Sequence, residues 1–149
     1  MALSNRDRIG QLFELLAPEL DDYIQQTVAP VLTGDAAWTA LVALHDAQKH
    51  GGEPRDYSRA DPQVQLRMLT ERITGRLRDG WYPFDDTLGR SGQNFASELR
   101  EVRNRWAHND SFTDDDAYRA LDTTERLLGL IGSPQAAERV RQIRLGLRR

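Results

Sequence analysis

Apolar residues in this chain return every three or four positions, and no stretch alternates apolar and polar residues in the manner of a strand. Only a helix gathers positions spaced like that on one face. Ile9, Leu12, Phe13 and Leu16 open the series. Ser4 and Asp7 ahead of them form the pattern of a capping box, in which hydroxyl and carboxylate satisfy free N–H groups of the first turn. Pro18, among Leu20, Ile24, Val28 and Val31, fits either the first turn of a second helix or a bend in a longer one. Gly34-Asp35 reads as a stop and a new cap, with Trp38, Leu41, Val42 and His45 lining the next helix.

His50–Ala60 holds two glycines and a proline and reads as a loop, the segment best suited to a hinge. Asp61-Pro62 is a cap followed by a first-turn proline and predicts a helix carrying Leu66, Leu69, Ile73 and Leu77. Gly80-Trp81-Tyr82-Pro83-Phe84 breaks it; these aromatics suit either a stacking platform for bases or a plug for the end of a bundle. A long helix is expected from about Ser91 to His108, with Phe95, Leu99, Val102 and Trp106 as a narrow seam. Asn109-Asp110 ends it, since asparagine tolerates the left-handed geometry of a helix stop. Thr113 and Asp116 form a second capping box, and Asp114 and Asp115 also suit a positive helix end. Ala117, Leu121, Thr124, Leu128 and Ile131 supply a buried face; Gly132 stops that helix, and Ser133-Pro134 opens a last one with Val140, Ile143 and Leu147. The expected fold is all-α, an antiparallel helical bundle with short connections, forming one domain over residues 1–149.

Composition narrows the function classes. Hydrophobic residues at 39% and charged residues at 29% fit a globular chain with a real core. With no cysteine, thiol chemistry, disulfides and thiolate metal sites are excluded. The N-terminus does not read as a secretory signal and no apolar run reaches a membrane span of roughly 20 residues, so the expectation is a cytoplasmic protein without membrane contact. A net charge of -3 leaves any nucleic-acid contact to a local patch. Lys49 is the only lysine, so a single arginine carries little information about guanidinium chemistry.

The one patch with chemical content lies on the Ser91–His108 helix. With the seam inward, Arg100, Asn104 and His108 point nearly opposite, and Arg103 lies on the flank beside Ala96 and Ala107. An imidazole can move a proton near neutrality, for instance from a ribose 2′-hydroxyl. A guanidinium can clamp phosphate oxygens and stabilise charge building on them, while an amide orients either partner. This set suits phosphodiester cleavage without a metal. On an ideal helix Arg103 and His108 stand about 140° apart, so one copy assembles the set poorly. Two copies across a symmetric interface would bring two histidines and two arginines around one cleft.

Arg103, Asn104 and His108 follow the Arg-polar-x-x-x-His pattern, and the chain resembles the HEPN superfamily of helical nucleotide-binding domains. Met1–Arg8, Ser97–Val102 and Asp116–Asp122 are similar to its Swt-like branch. The resemblance implies a four-helix core with additional helices, and a metal-independent endoribonuclease leaving a 2′,3′-cyclic phosphate. It implies His108 as general acid and base, Arg103 as clamp and Asn104 as positioning residue. Arg100 and Arg105 on the same helix are candidate RNA-binding residues. The resemblance further implies a homodimer acting on RNA without cofactor or metal, in phage defence, stress response or a toxin–antitoxin pair. A fused or separate ATPase or nucleotidyltransferase is an expected partner, and the chain is then the N-terminal module of a longer protein. Many such domains serve instead as non-catalytic dimerisation or recruitment modules, and a nucleotide-binding regulatory role is a third possibility.

Each residue also has a plainer reading. His108 at a helix C-terminus is favourable to the macrodipole whatever else it does. Arg103 could pair with a carboxylate, and Asn104 could simply be solvated. His45, Asp46 and His50 lack a convincing third metal ligand and straddle a helix end. Arg139, Arg141, Arg144, Arg148 and Arg149 could grip phosphates, although a solvated helix end explains them as well.

Overall fold

The computed structural model describes residues 3–73 and 83–147. Met1, Ala2, Leu77, Gly80, Trp81, Tyr82, Arg148 and Arg149, which entered the sequence reading, lie outside them. Among the described residues six α-helices follow in order: α1 (Asn5–Val28), α2 (Thr39–His50), α3 (Pro62–Thr70), α4 (Asp85–Ala107), α5 (Asp114–Leu130) and α6 (Pro134–Gly146). A short 3-10 turn, Ala29–Val31, follows α1, and the described residues contain no strand. None of these helices is long and apolar enough to cross a membrane.

α1 is a single helix of 24 residues, opened by the Ser4/Asp7 capping box and running straight through Pro18. Ile9, Leu12, Leu16, Leu20, Ile24 and Val28 are fully buried along it, and that burial outweighs the hydrogen bond lost at Pro18. α1 lies against α5, α3 and α6; α5 packs between α4 and α6, and α4 also packs on α3. Tight turns at Asn109–Thr113 and Ile131–Ser133 make α4, α5 and α6 successive antiparallel neighbours. The Asn5 amide donates to the Phe112 carbonyl (3.0 Å) and the Asp114 carboxylate (2.9 Å), while Ser133 Oγ donates to Glu19 (3.0 Å). The start of α1 is therefore tied to the start of α5, and its middle, at Glu19, to the turn that ends α5, so the two run parallel.

Several boundaries differ from the expectation. Asp35 caps nothing: α2 starts after Trp38, and Gln25 on α1 accepts the Trp38 N–H at 2.9 Å. Trp38 is fully buried with its indole N–H on Asp21 at 2.7 Å, so tertiary bonds to Trp38, not a side-chain cap, place the start of α2. α3 stops at Thr70 rather than continuing through Ile73, because Arg72 takes φ 51°, outside the helical region. Ile73 is still buried, but from beyond the helix. α4 begins at Asp85, yet Gly89 (φ 59°, ψ -167°) interrupts it, so the long straight portion starts close to the expected Ser91. Phe84, fully buried with its ring 5.7 Å from that of Tyr23, closes one end of the core. For this member of the aromatic cluster, the plug is what the structure contains.

The burial of α4 is shifted from the expected seam. Its deepest residues are Leu88, Gly92, Ala96 and Leu99, while Phe95, Val102 and Trp106 are partly buried and packed against the core. Ala96, expected on the exposed flank, is fully buried. Small residues let α4 settle deeply between α3 and α5, and the large seam residues are left at the margin of the contact.

Candidate functional site

The candidate site sits where α4 stops. Asn109 adopts φ 60°, its N–H donates to the Trp106 carbonyl (3.3 Å), and the Asp110 N–H donates to the Arg105 carbonyl (3.0 Å). These two reverse bonds make a Schellman stop with asparagine in its left-handed position. His108 is the capping residue just before it, and its N–H donates to the Asn104 carbonyl at 3.0 Å. Asn104, Ala107 and His108 are exposed. One turn apart on the same face, Asn104 and His108 present an amide and an imidazole side by side.

Arg103 is elsewhere. It continues the line of Gly92, Ala96 and Leu99 and is partly buried, at about 140° around the helix from His108. Among the described residues its side chain makes no hydrogen bond or ion pair; neither do those of Asn104 and His108. The flanking arginines differ. Arg100 donates to Glu71 (2.6 Å) and to Thr70 Oγ1 (3.2 Å). Arg105 donates to the Ser111 carbonyl (2.8 Å), pairs with Asp116 (3.4 Å) and stacks over Phe112 at 4.6 Å. The structure thus gathers Asn104 and His108, separates Arg103 from them within one copy, and ties Arg100 and Arg105 into the scaffold.

Arg100 also borders a cavity of about 450 Å³ beside α2, α3 and the 51–57 loop, with Asp46, His50, Arg55, Tyr57 and Arg67 in its wall. Arg67 reaches both oxygens of Asp46 (2.8 and 3.0 Å) and both of Glu71 (2.9 and 3.1 Å), and Tyr57 donates its hydroxyl to Asp46. The Arg67 guanidinium holds the Asp46 carboxyl well below the usual carboxylate range. Burial pushes Glu71 up, but Arg67 and Arg100 outweigh it, and Glu71 also lies below its ordinary value. Asp46 is thus committed to an arginine rather than grouped with His45 and His50. No cluster of three potential metal ligands occurs among the described residues.

Trp106 joins this end of the bundle to α1. Its indole N–H donates to the Arg6 carbonyl (3.3 Å), its ring lies 6.4 Å from Phe13, and the Arg6 guanidinium sits 5.0 Å from its centroid. Arg6 carried no role in the sequence reading. Its placement depends on a contact spanning a hundred residues, and helical periodicity gives no signal for that.

An all-helical chain with Arg103, Asn104 and His108 at the end of a core helix has the features of a HEPN domain. The family profile described as Swt1-like HEPN matches residues 11–132, and the chain belongs to that family. No curated protein and no solved structure matches it. HEPN membership supports a nuclease or effector role in general terms, and HEPN domains often dimerise.

Proposed function

We propose that this chain is a metal-independent endoribonuclease that works as a homodimer, with Arg103, Asn104 and His108 as its chemical groups. One contrast carries the reading: Arg100 and Arg105 are bound to carboxylates and carbonyls, whereas the three motif side chains have no partner among the described residues. A partly buried guanidinium without an anion is a cost to the fold, which an RNA phosphate would offset.

In the proposed reaction the His108 imidazole takes the proton of a ribose 2′-hydroxyl, and the 2′-oxygen attacks the adjacent phosphorus. The P–O5′ bond breaks, and an imidazolium returns a proton to the departing O5′. The products are a 2′,3′-cyclic phosphate and a 5′-hydroxyl. Arg103 stabilises the negative charge on the non-bridging oxygens, and Asn104 orients the phosphate beside His108. The angle between Arg103 and His108 on one helix motivates the second copy, whose own motif would complete the cleft.

Purified protein should cleave single-stranded RNA in EDTA. His108→Ala and Arg103→Ala should each slow it by roughly 100-fold or more, the scale of a lost proton-transfer or charge-stabilising group. Equal rates in parent and both variants would refute these roles. The net charge of -3 favours a second reading, a non-catalytic dimerisation or recruitment module in a defence or RNA-processing protein. Expression separates the two, because an unrestrained ribonuclease slows host growth and a scaffold does not.

A further inference from the structure

Seven arginines among the described residues are partly buried: Arg6, Arg8, Arg67, Arg100, Arg103, Arg105 and Arg144. Five have hydrogen-bond acceptors. Arg8 is bonded to Asn5, Arg67 to Asp46 and Glu71, Arg100 to Glu71, Arg105 to Ser111, and Arg144 to Glu125 and Tyr118. Arg6 and Arg103 have none, and Arg6 Nη1 is buried without a hydrogen-bond partner. Both lie near one residue, Trp106. Arg6 stacks on the Trp106 indole, and Arg103 lies one turn before Trp106 on the neighbouring part of the same helix face.

We infer that Arg6 is a second phosphate clamp of the RNA site, acting with Arg103 across Trp106 on the backbone of a single-stranded RNA. This inference rests on the ribonuclease reading above. A guanidinium is the cation suited to the place, because it stacks flat on an indole and, with Nη1 buried, still leaves its other N–H donors for phosphate oxygens. Trp106 fixes those donors in advance, so little side-chain entropy is lost when the phosphate arrives. Asn5, bonded to Phe112 and Asp114, anchors the turn that carries Arg6 against the α4–α5 stop. The family match begins at residue 11, so nothing in it assigns Arg6 a role.

The test uses the full chain carrying His108→Ala, so that RNA stays intact, and a fluorescent single-stranded RNA read by anisotropy over a range of salt. Arg6→Gln should weaken binding about tenfold at low salt and flatten the plot of log K against log salt by roughly 0.7, the value of one phosphate contact on a single strand. Arg6→Lys, which keeps the charge, should recover most of the slope and only part of the affinity. Arg126→Gln, which removes an exposed arginine paired with Asp122, should change neither. The melting temperature of Arg6→Gln should hold or rise, because the substitution removes an uncompensated charge. An Arg6→Gln slope equal to the parent's, or a lowered melting temperature with unchanged affinity, would overturn the inference and leave Arg6 a structural stack on Trp106. Parent protein that cleaves RNA while Arg6→Gln keeps the parent's kcat/KM sinks this inference alone. Parent protein that neither binds nor cleaves RNA sinks the ribonuclease reading, and Arg6 with it.

Discussion

At the scale of single residues, this chain sorts its charges into those with partners and those without. Asp46 is the best-held carboxylate: Arg67 grips both its oxygens and Tyr57 adds a hydroxyl. Its pKa is depressed in the fold, so it stabilises the protein above the ordinary carboxylate range, near pH 4, and that contribution is lost as pH falls toward the folded value. Glu71 is depressed in the same direction. Parent stability should therefore decline from about pH 5 downward as the unfolded chain takes up protons first. Asp46→Asn should be the less stable protein at pH 7, by roughly 1–3 kcal/mol for a part-buried charged bond. Its decline should be shallower by up to one proton, about 1.4 kcal/mol per pH unit, and the two curves should converge in acid. Urea melts at four pH values check this; parallel curves would mean that Arg67 and Asp46 do not interact as the structure has them.

At the scale of elements, α4 sets the geometry of the proposed site, and two glycines decide how it lies. Gly89 breaks the helix with φ 59° and ψ -167°, a conformation almost reserved for glycine, and so turns Leu88 back over Gly92. A Cβ on Gly92 would stand 2.7 Å from the Leu88 Cβ and 3.2 Å from a Leu130 methyl. Gly92→Ala should accordingly destabilise the protein by about 1–3 kcal/mol through overpacking, although alanine is the better helix former by about 1 kcal/mol. Thermal melts read this directly, and a stabilised variant would mean that α4 does not lie against Leu88 and Leu130 in this way. The same helix shows what was legible from sequence. The Ser4 and Thr113 capping boxes, the Asn109 stop and the Pro62 and Pro134 starts are local chemistry, and the structure has them where the residues imply. Gln25 holding Trp38 ahead of α2, Ala96 sinking beneath larger neighbours and Arg6 meeting Trp106 depend on tertiary approach, which no local pattern encodes. The Arg103, Asn104 and His108 motif was legible as text; that Arg103 follows the buried stripe was not.

At the scale of the whole molecule, the two halves of the proposed chemistry lie on different sides of one helix end. α4 turns Asn104 and His108 to solvent and Arg103 toward the margin of the core, where α1 crosses at Trp106. A homodimer with its axis beside this end would set the Arg103 of one copy against the His108 of the other, each copy giving and receiving the same contact. Such a composite site has a signature in a mixing experiment: recovery of activity. Arg103→Ala and His108→Ala proteins, each inactive alone, are combined under conditions that exchange subunits. Random pairing makes about half of the dimers mixed, and each mixed dimer holds one intact Arg103/His108 pair of the two, so activity should return to about a quarter of the parent's. A site built within one copy predicts no recovery at any ratio, since neither subunit carries both groups. A cleft needing all four groups at once gives the same flat result, and a chain that stays monomeric under assay conditions cannot be complemented at all. Recovery near one quarter would therefore tie the catalytic unit to the pair of copies, with each α4 end supplying half of two sites.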